Sequence, residues 1–330
     1  MTKIEAARRE YSDWSSAIGI RSMDDVNRII AEGNAIKLIN LCEARQERKY
    51  ADAADEVMWH SDRARIVMMS GPSSSGKTSS SLRIAQQCRV LGITPKVIEL
   101  DNYFVERDRT PLDENGNKDY EALEAMNIEL LGQNLNDLLS GKEIIVPKFD
   151  FVNGKTIFDE SRRMKLEKGD VLFMEGIHAL NPALTPSVDQ SRIFRIYISA
   201  LSALSTGDVH NSTTDKRLLR RIVRDNRTRG ISPEENILRW PSVRRGEIRN
   251  IFPYEENADV VFNSSLLYDL PLLKYYAEPL LYAIAESSPA YEKAHELTTF
   301  LTRITALHPA DIAAIPPTSI MREFIGGQTL

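Results

Sequence analysis

Residues 66–78 read IVMMSGPSSSGKT, and this stretch decides the fold class. The apolar run 66–70 predicts a buried strand, and the loop after it matches the pattern GxxxxGK[ST] and opens a helical pattern. In such a loop the glycines let the backbone wrap around phosphate, and its N–H groups and the helix start supply positive potential. The stretch therefore predicts a phosphate-binding loop, which kinases, GTPases and motor ATPases share.

Outside this stretch, short apolar runs alternate with helical patterns, as expected for a mainly parallel sheet covered by helices. The predicted strands are 66–70, 96–100, 171–174, 194–198 and 259–262. The predicted helices are 77–90, 121–139, 213–228 and 267–286. Two extended pieces within 144–160 flank Asn153-Gly154, a dipeptide that favours a hairpin turn. We therefore predict an α/β core that carries a two-stranded β-hairpin arm.

The two ends of the chain differ from this core in their patterns. Residues 1–62 carry apolar side chains at helical spacing, which predicts a small helical N-terminal segment. We assign 63–288 to the phosphate-binding domain and 289–330 to a C-terminal helix and an irregular tail. The tail is predicted from about His308 onward because prolines and glycines recur there.

The whole chain is acidic, since its 330 residues hold 42 Lys and Arg against 47 Asp and Glu, a formal net charge of −5. This balance argues against a protein that coats DNA or anionic membranes. No apolar run approaches the roughly 18 residues of a membrane span, and the N-terminus has no apolar signal region. The two cysteines lie far apart without metal-ligand spacing. We therefore expect a cytoplasmic protein.

Acidic residues end two of the predicted strands on the side of the phosphate loop. Glu175 follows the run 171–174, where a carboxylate directed at Mg²⁺ belongs beside the Thr78 hydroxyl. Asp101 follows the run 96–100. Phosphoryl transfer to an alcohol needs a carboxylate that orients the hydroxyl and accepts its proton, whereas hydrolysis needs a positioned water. We predict that Asp101 is this base; the alternative for Asp101 is a helix-cap or turn residue, and the alternative for Glu175 is an ordinary strand-end acid.

The predicted helix 213–228 is strongly basic. Arg217, Arg221 and Arg224 lie four and three residues apart and therefore share one helix face. A solvated arginine face is the usual meaning of such a run. A hinged lid that carries arginines can also surround a transferring phosphoryl group and exclude water. The basic run RRGEIR at 244–249 is less informative.

In this order and spacing, the features resemble the uridine kinase and phosphoribulokinase family of P-loop kinases, over about residues 65–264. The resemblance implies a P-loop kinase fold with an arginine-rich lid, ATP as the phosphate donor and Mg²⁺ as the metal. It rests on motifs in separate parts of the chain: GPSSSGKT, DNYF at 101–104, DYEALEAMN at 119–127, PKFDFV at 147–152, MEGIHALNP at 174–182, the arginine helix and ADVVF at 258–262.

The resemblance also implies roles for individual residues. Asp101, Lys77 and Arg224 are expected to be catalytic, and Thr78, Asp101 and Glu175 are expected to bind the metal. The residues expected to bind the ATP phosphates are Gly71, Ser73, Ser74, Ser75, Gly76, Lys77, Thr78, Ser79, Arg224 and Arg229. The acceptor would lie beside Asp101, Tyr103, Glu121, Phe149, Arg221 and Arg239.

The acceptor pocket departs from the pattern of the family. Nucleoside kinases of the family have an aspartate where this chain has Glu121, and their arginine at the ribose is retained as Arg221. Each hydrogen-bonding group lost from a base pocket costs about 1–3 kcal/mol of recognition. The resemblance thus implies a kinase for a hydroxyl of a small acceptor, most readily a nucleoside, with a rewritten pocket. Where the family has tyrosine, histidine, a second lid arginine and glutamine, this chain has Phe149, Gly154, Ile231 and Arg239.

Two other functions stay open. Positive charge from Lys148, Arg239 and Arg244 favours a kinase for a phosphorylated or acidic sugar. The ends of the chain resemble a bacterial uridine-kinase-like branch in which the kinase follows domains similar to the N-terminal part of threonyl-tRNA synthetase. That similarity suggests a nucleotide-sensing regulatory or RNA-associated module, but Asp101 speaks against it because a sensor needs no acceptor base. Relatives of this kind often assemble as homo-oligomers, and the oligomeric state stays open.

Overall fold

The computed structural model describes residues 1–112, 114, 116–202, 204 and 213–330. Within these residues the helices are α1 Lys3–Ala17, α2 Met23–Ala31, α3 Ala35–His60, α4 Lys77–Val90, α5 Ile128–Leu139, α6 Thr213–Thr228, α7 Pro233–Asn250, α8 Asp269–Tyr282, α9 Tyr291–Leu301, α10 Pro309–Ala313 and α11 Arg322–Ile325. The strands are β1 Ile66–Ser70, β2 Thr94–Glu99, β3 Ile144–Ile145, β4 Lys148–Asp150, β5 Lys155–Ile157, β6 Arg163–Met164, β7 Asp170–Glu175, β8 Ile193–Ser199 and β9 Val260–Asn263.

The central sheet, as far as the chain is described, has five parallel strands in the order β2-β7-β1-β8-β9. Strand β1 lies in the middle, with Met68 opposite Met174 of β7 and Arg195 of β8. The side chains of β1 and β8 are buried along the whole of both strands, as in a parallel sheet covered on both faces. The predicted α/β core is therefore confirmed, and its carboxyl edge receives the ends of β1, β2 and β7.

One predicted helix is shorter than its pattern suggested. The sequence predicts a helix over 121–139, but α5 begins at Ile128, after a short 3-10 turn at Leu123–Ala125. Asn127 caps the helix, because its side chain accepts a hydrogen bond from the backbone N–H of Leu130 at 3.1 Å. The residues before the cap are thereby free to leave the helix and approach the edge of the sheet.

The predicted two-stranded arm is present as β4 and β5, which pair antiparallel with Asp150 opposite Lys155. Its loop, 151–154, is longer than the two-residue turn that Asn-Gly favours. The Asp150 carboxylate explains this, since it accepts from the backbone N–H groups of Val152 and Asn153 at 2.9 and 3.2 Å.

The helices before and after the core pack against each other as well as against the core. A single buried apolar cluster joins side chains of α1 to α3 with side chains of α6 to α9, and it includes Leu38, Leu219 and Leu272. A second cluster joins α3 to α4 and to the sheet. None of the helices in the described ranges has both the length and the apolar composition that crossing a membrane requires.

The segment from His308, predicted to be irregular, contains the short helices α10 and α11. The prolines and glycines do keep these helices short. However, Ile312 of α10, Phe324 of α11 and Ile315 between the two helices are buried in the same apolar cluster as the N-terminal helices. The end of the chain is therefore part of the core.

Candidate functional site

The phosphate-binding loop connects β1 to α4. Gly76 is the residue before α4 and has a φ of 83°, a left-handed conformation that glycine adopts without strain. Gly71 lies against the backbone of β8, where a Cβ atom would come within 2.0 Å of the Ile198 carbonyl oxygen. The loop can therefore curve tightly onto the first turn of α4, whose backbone N–H groups have no acceptor within the helix.

A cavity of about 340 Å³ lies beside this loop at the carboxyl edge of the sheet. The structure brings most of the predicted catalytic, phosphate-binding and metal-binding residues to its walls. The phosphate loop and α4 contribute Ser73, Ser74, Gly76, Lys77 and Thr78. The other charged residues on the walls are Glu99, Asp101, Glu121, Glu175, Arg221, Arg224, Arg229, Glu247 and Glu323.

We call Asp101, Glu121 and Glu175 the cavity carboxylates. In the part of the chain that the structure describes, none of them forms an ion pair, although the Thr78 hydroxyl donates to Glu175 Oε1 at 3.0 Å. Burial raises the pKa of all three carboxyl groups above their ordinary values, and the positive charge of Lys77 opposes each shift. The site therefore holds negative charge that the protein itself compensates only in part.

The oxygen atoms at this site fit a magnesium ion. Among the residues that can be described, no three His, Cys, Asp or Glu side chains form a metal site by themselves. Mg²⁺ in phosphotransferases is instead held by one or two carboxylates together with phosphate oxygens of the substrate. The Thr78 hydroxyl and the nearby carboxylates of Glu175 and Asp101 are the hard oxygen ligands that such a site requires.

Two arginines of α6 and one just after it are directed by Asp225, a fully buried residue. Its carboxylate lies 2.7 Å from Arg224, 3.4 Å from Arg221 and 3.6 Å from Arg229. Arg221 also donates to the Ser73 hydroxyl of the phosphate loop at 3.0 Å. One carboxylate thus orients three cavity arginines. No motif in the sequence singles out Asp225; its signal is the four-residue spacing to Arg221 and to Arg229.

Arg217 shares the basic run but is not among the described residues that line the cavity. Its guanidinium donates to both carboxylate oxygens of Glu247, at 2.5 and 2.9 Å, and to the Ser73 carbonyl at 3.0 Å. Glu247 also accepts from the Ser73 N–H and from Arg244. Burial alone would raise the pKa of Glu247, but these bonds outweigh it and lower the pKa. The run 244–249, uninformative in the sequence, therefore contains the residue that ties α7 to the phosphate loop.

Three residues predicted to contact the acceptor lie elsewhere among the described residues. Tyr103 is buried, and its hydroxyl accepts a hydrogen bond from Asn134 at 3.2 Å. Phe149 is buried in an apolar cluster of the core and contacts the rings of Phe104 and Phe151. Arg239 is exposed and pairs with Glu235 at 2.5 Å. Of the predicted acceptor residues, Asp101, Glu121 and Arg221 are the ones on the cavity wall.

A second cavity of about 690 Å³ adjoins the first, and Glu121 lines both. Two arginines on its wall are paired with acids: Arg249 lies 3.5 Å from Asp119, and Arg245 lies 4.0 Å from Glu114. The second cavity is therefore polar, with charges of both signs.

Comparison with known proteins gives a consistent picture. Residues 66–270 match the family model described as phosphoribulokinase and uridine kinase family. A uridine kinase of Macrococcus caseolyticus is 33% identical over 199 residues, which cover 59% of this chain and 86% of the relative. A uridine kinase of Staphylococcus carnosus is 30% identical over 199 residues, 59% of this chain and 85% of the relative. A uridine-cytidine kinase C of Dictyostelium discoideum is 33% identical over 175 residues, 52% of this chain and 32% of the relative.

Proposed function

The chain belongs to the phosphoribulokinase and uridine kinase family of P-loop kinases, and we propose that it transfers a phosphoryl group from ATP to a ribose hydroxyl of a nucleoside. One observation carries this proposal. The carboxylate of Asp101 lines the same cavity as Lys77 and Thr78 of the phosphate loop. A carboxylate at that place is what an alcohol acceptor needs and what a nucleotide sensor does not.

The residues divide the work between donor and acceptor. Backbone amides of the loop from Gly71 to Ser79 and the Lys77 ammonium hold the phosphates, and Thr78, Asp101 and Glu175 hold Mg²⁺. When bound, the metal neutralises charge on the β- and γ-phosphates. Arg224 and Arg229 stabilise the negative charge of the phosphoryl group in transfer. Because Asp225 already orients both, little reorganisation is needed during the reaction.

Asp101 orients the acceptor hydroxyl and takes its proton. Burial raises the pKa of this carboxyl group, which brings it closer to neutral pH and makes the ionised form a better base. Lys77 counters the shift and so favours the ionised form that the reaction requires. The same group therefore meets both requirements of a general base.

Glu121 and Arg221 line the cavity and offer a hydrogen-bond acceptor and a donor to neighbouring ribose hydroxyls. Glu121 is one methylene longer than the aspartate typical of the family. Gly246 leaves room for it, since a Cβ there would lie 3.1 Å from Glu121 Oε2. The adjoining cavity on the other side of Glu121 has space for the base of the nucleoside.

The charges favour a neutral acceptor over a phosphorylated sugar. Arg239 pairs with Glu235, and Arg244 pairs with Glu247 at 2.5 Å. Cations that are already paired contribute little to binding a second anion. The acidic-sugar alternative thus loses two of the three positive charges that favoured it.

An acceptor screen tests the proposal. ADP release from ATP and Mg²⁺ is measured with uridine, cytidine, adenosine, guanosine and a set of pentose phosphates, each beside the Asp101→Ala variant. We expect stimulation by at least one nucleoside, lost in the variant. Stimulation by a sugar phosphate alone would show that the acceptor is a phosphorylated sugar and not a nucleoside. ATP consumption that no small acceptor stimulates, with salt-sensitive RNA binding, would favour the regulatory module.

A further inference from the structure

The C-terminal segment 319–328, here called the strap, reaches the phosphate loop. The Ile320 side chain covers Gly76 so closely that a Cβ on this glycine would lie 2.3 Å from Ile320 Cδ1. Glu323, also in the strap, lines the cavity together with Lys77 and Thr78. The strap lies outside residues 66–270, so the family match does not account for it.

Glu323 binds a pair of donors at the start of α4. Its Oε2 atom accepts from the Ser79 hydroxyl at 2.6 Å and from the Ser79 backbone N–H at 3.4 Å. Gln328 of the strap donates to the same hydroxyl at 2.7 Å. Ser79 is fully buried and is one of the residues proposed to bind the ATP phosphates. A Glu323 carboxylate oxygen thus accepts hydrogen bonds from the Ser79 donors that a phosphate oxygen of ATP would use.

The strap is anchored to the helix that carries the cavity arginines. Arg227 of α6 donates to the backbone carbonyls of Phe324 and Glu323, each at 3.2 Å. The Arg220 guanidinium lies 5.0 Å from the centre of the Phe324 ring. These contacts hold the Glu323 backbone in place and leave its carboxylate directed at Ser79.

We propose that Glu323 sets the nucleotide affinity of the enzyme: its carboxylate occupies the Ser79 donors and must give them up when the phosphate chain binds. This rests on the proposed role of the loop in binding ATP. A carboxylate and a phosphate repel each other and cannot share the same donors. When a competing group occupies a site most of the time, the apparent dissociation constant rises by the inverse of the free fraction. The strap therefore weakens ATP binding without taking part in phosphoryl transfer.

The test compares ATP binding by the 330-residue protein and by its Glu323→Gln variant, using titration calorimetry with Mg²⁺ and no acceptor. The substitution keeps the shape of the side chain and removes the charge. We expect on the order of 10-fold tighter ATP binding. The control is Glu286→Gln, which removes the same charge from an exposed position away from the cavity, and it should leave the dissociation constant unchanged.

A second variant, Arg227→Ala, loosens the strap without altering Glu323 or Ser79 and should also tighten ATP binding. Unchanged or weaker binding by Glu323→Gln overturns the proposal, as does failure of both proteins to bind ATP. An equal gain in the Glu286→Gln control would also overturn it, because the effect would then be one of net charge. Since no acceptor is present, failure of this test is distinct from failure of the acceptor screen.

Discussion

Two groups of carboxylates, one on the cavity wall and one buried, lie within one small region of this protein. The cavity carboxylates, Asp101, Glu121 and Glu175, form no ion pair among the residues described, and burial raises their pKa values. Asp225 and Glu247, which we call the paired carboxylates, each contact arginines at 2.5–3.6 Å. Burial alone would raise the pKa of Glu247, but hydrogen bonds from its arginine partners lower it.

The difference separates two uses of the same chemical group. A buried carboxylate with arginine partners fixes the position of neighbouring elements, because removing either partner leaves a charge without compensation. A carboxylate that is desolvated on the wall of a cavity and lacks such partners costs stability, and that cost is acceptable where a metal ion or a hydroxyl proton will bind. Substitutions in the two groups should therefore have opposite effects on stability and on catalysis.

The largest expected effect is on catalysis, at the cavity carboxylates. Replacing Asp101 by Ala should lower kcat by about 10²–10⁴-fold, the range typical of general-base catalysis. The dissociation constant for ATP should change little, because the phosphates bind to the loop. Steady-state kinetics and ATP titration measure the two quantities. Full residual turnover in this variant would contradict the assignment of Asp101.

The next effect is on stability, at the paired carboxylates. Glu247→Gln leaves the buried Arg217 guanidinium without its counter-charge, and we expect a loss of about 3–5 kcal/mol in the free energy of unfolding. Glu235→Gln in the same helix is the matched control, because it breaks an exposed pair worth about 0–1 kcal/mol. Urea denaturation of the two variants measures the difference. Equal losses would mean that burial does not distinguish these pairs.

The smallest effect has the opposite sign. Glu175→Gln should stabilise the protein by about 0.5–2 kcal/mol at neutral pH, because it removes a charge that burial disfavours. The raised pKa means that the folded state binds this proton more tightly, so wild-type stability falls as pH rises from the ordinary glutamate range through the raised value.

The gain from Glu175→Gln should therefore disappear when the pH is lowered below the ordinary glutamate range. Denaturation curves at neutral and acidic pH, without divalent ions, measure this dependence. A destabilised variant at neutral pH would show that the Thr78 contact of Glu175 outweighs the cost of its burial.

The sequence predicts local features of this site better than distant ones. The phosphate loop, its strand and its helix follow from a continuous pattern, and Asp101 and Glu175 follow from their positions at strand ends. Glu247 could not be found in this way, because its partners come from α6 and the loop. Glu323 is 244 residues from Ser79, and nothing in the local pattern indicates that the two side chains meet.

The acceptor residues show the opposite problem. Motif position predicts Tyr103 and Phe149 at the acceptor, but a motif fixes a place along the chain and not the direction of a side chain. Both residues are large and apolar enough to be drawn into the core, and the structure buries them there. Glu121 and Arg221 are charged and therefore disfavoured in the apolar core, and both side chains lie on the cavity wall.

The apolar cluster shared by the two ends of the chain has a consequence for gene design. The family match stops at residue 270, just inside α8, whereas Leu272 and Leu273 of that helix belong to the same buried cluster as Leu38 and Phe324. A fragment trimmed to the match would cut a helix and expose apolar side chains of α6. The segment that must be kept together to preserve this core is therefore longer than the segment that matches the family. It includes residues from both ends of this chain.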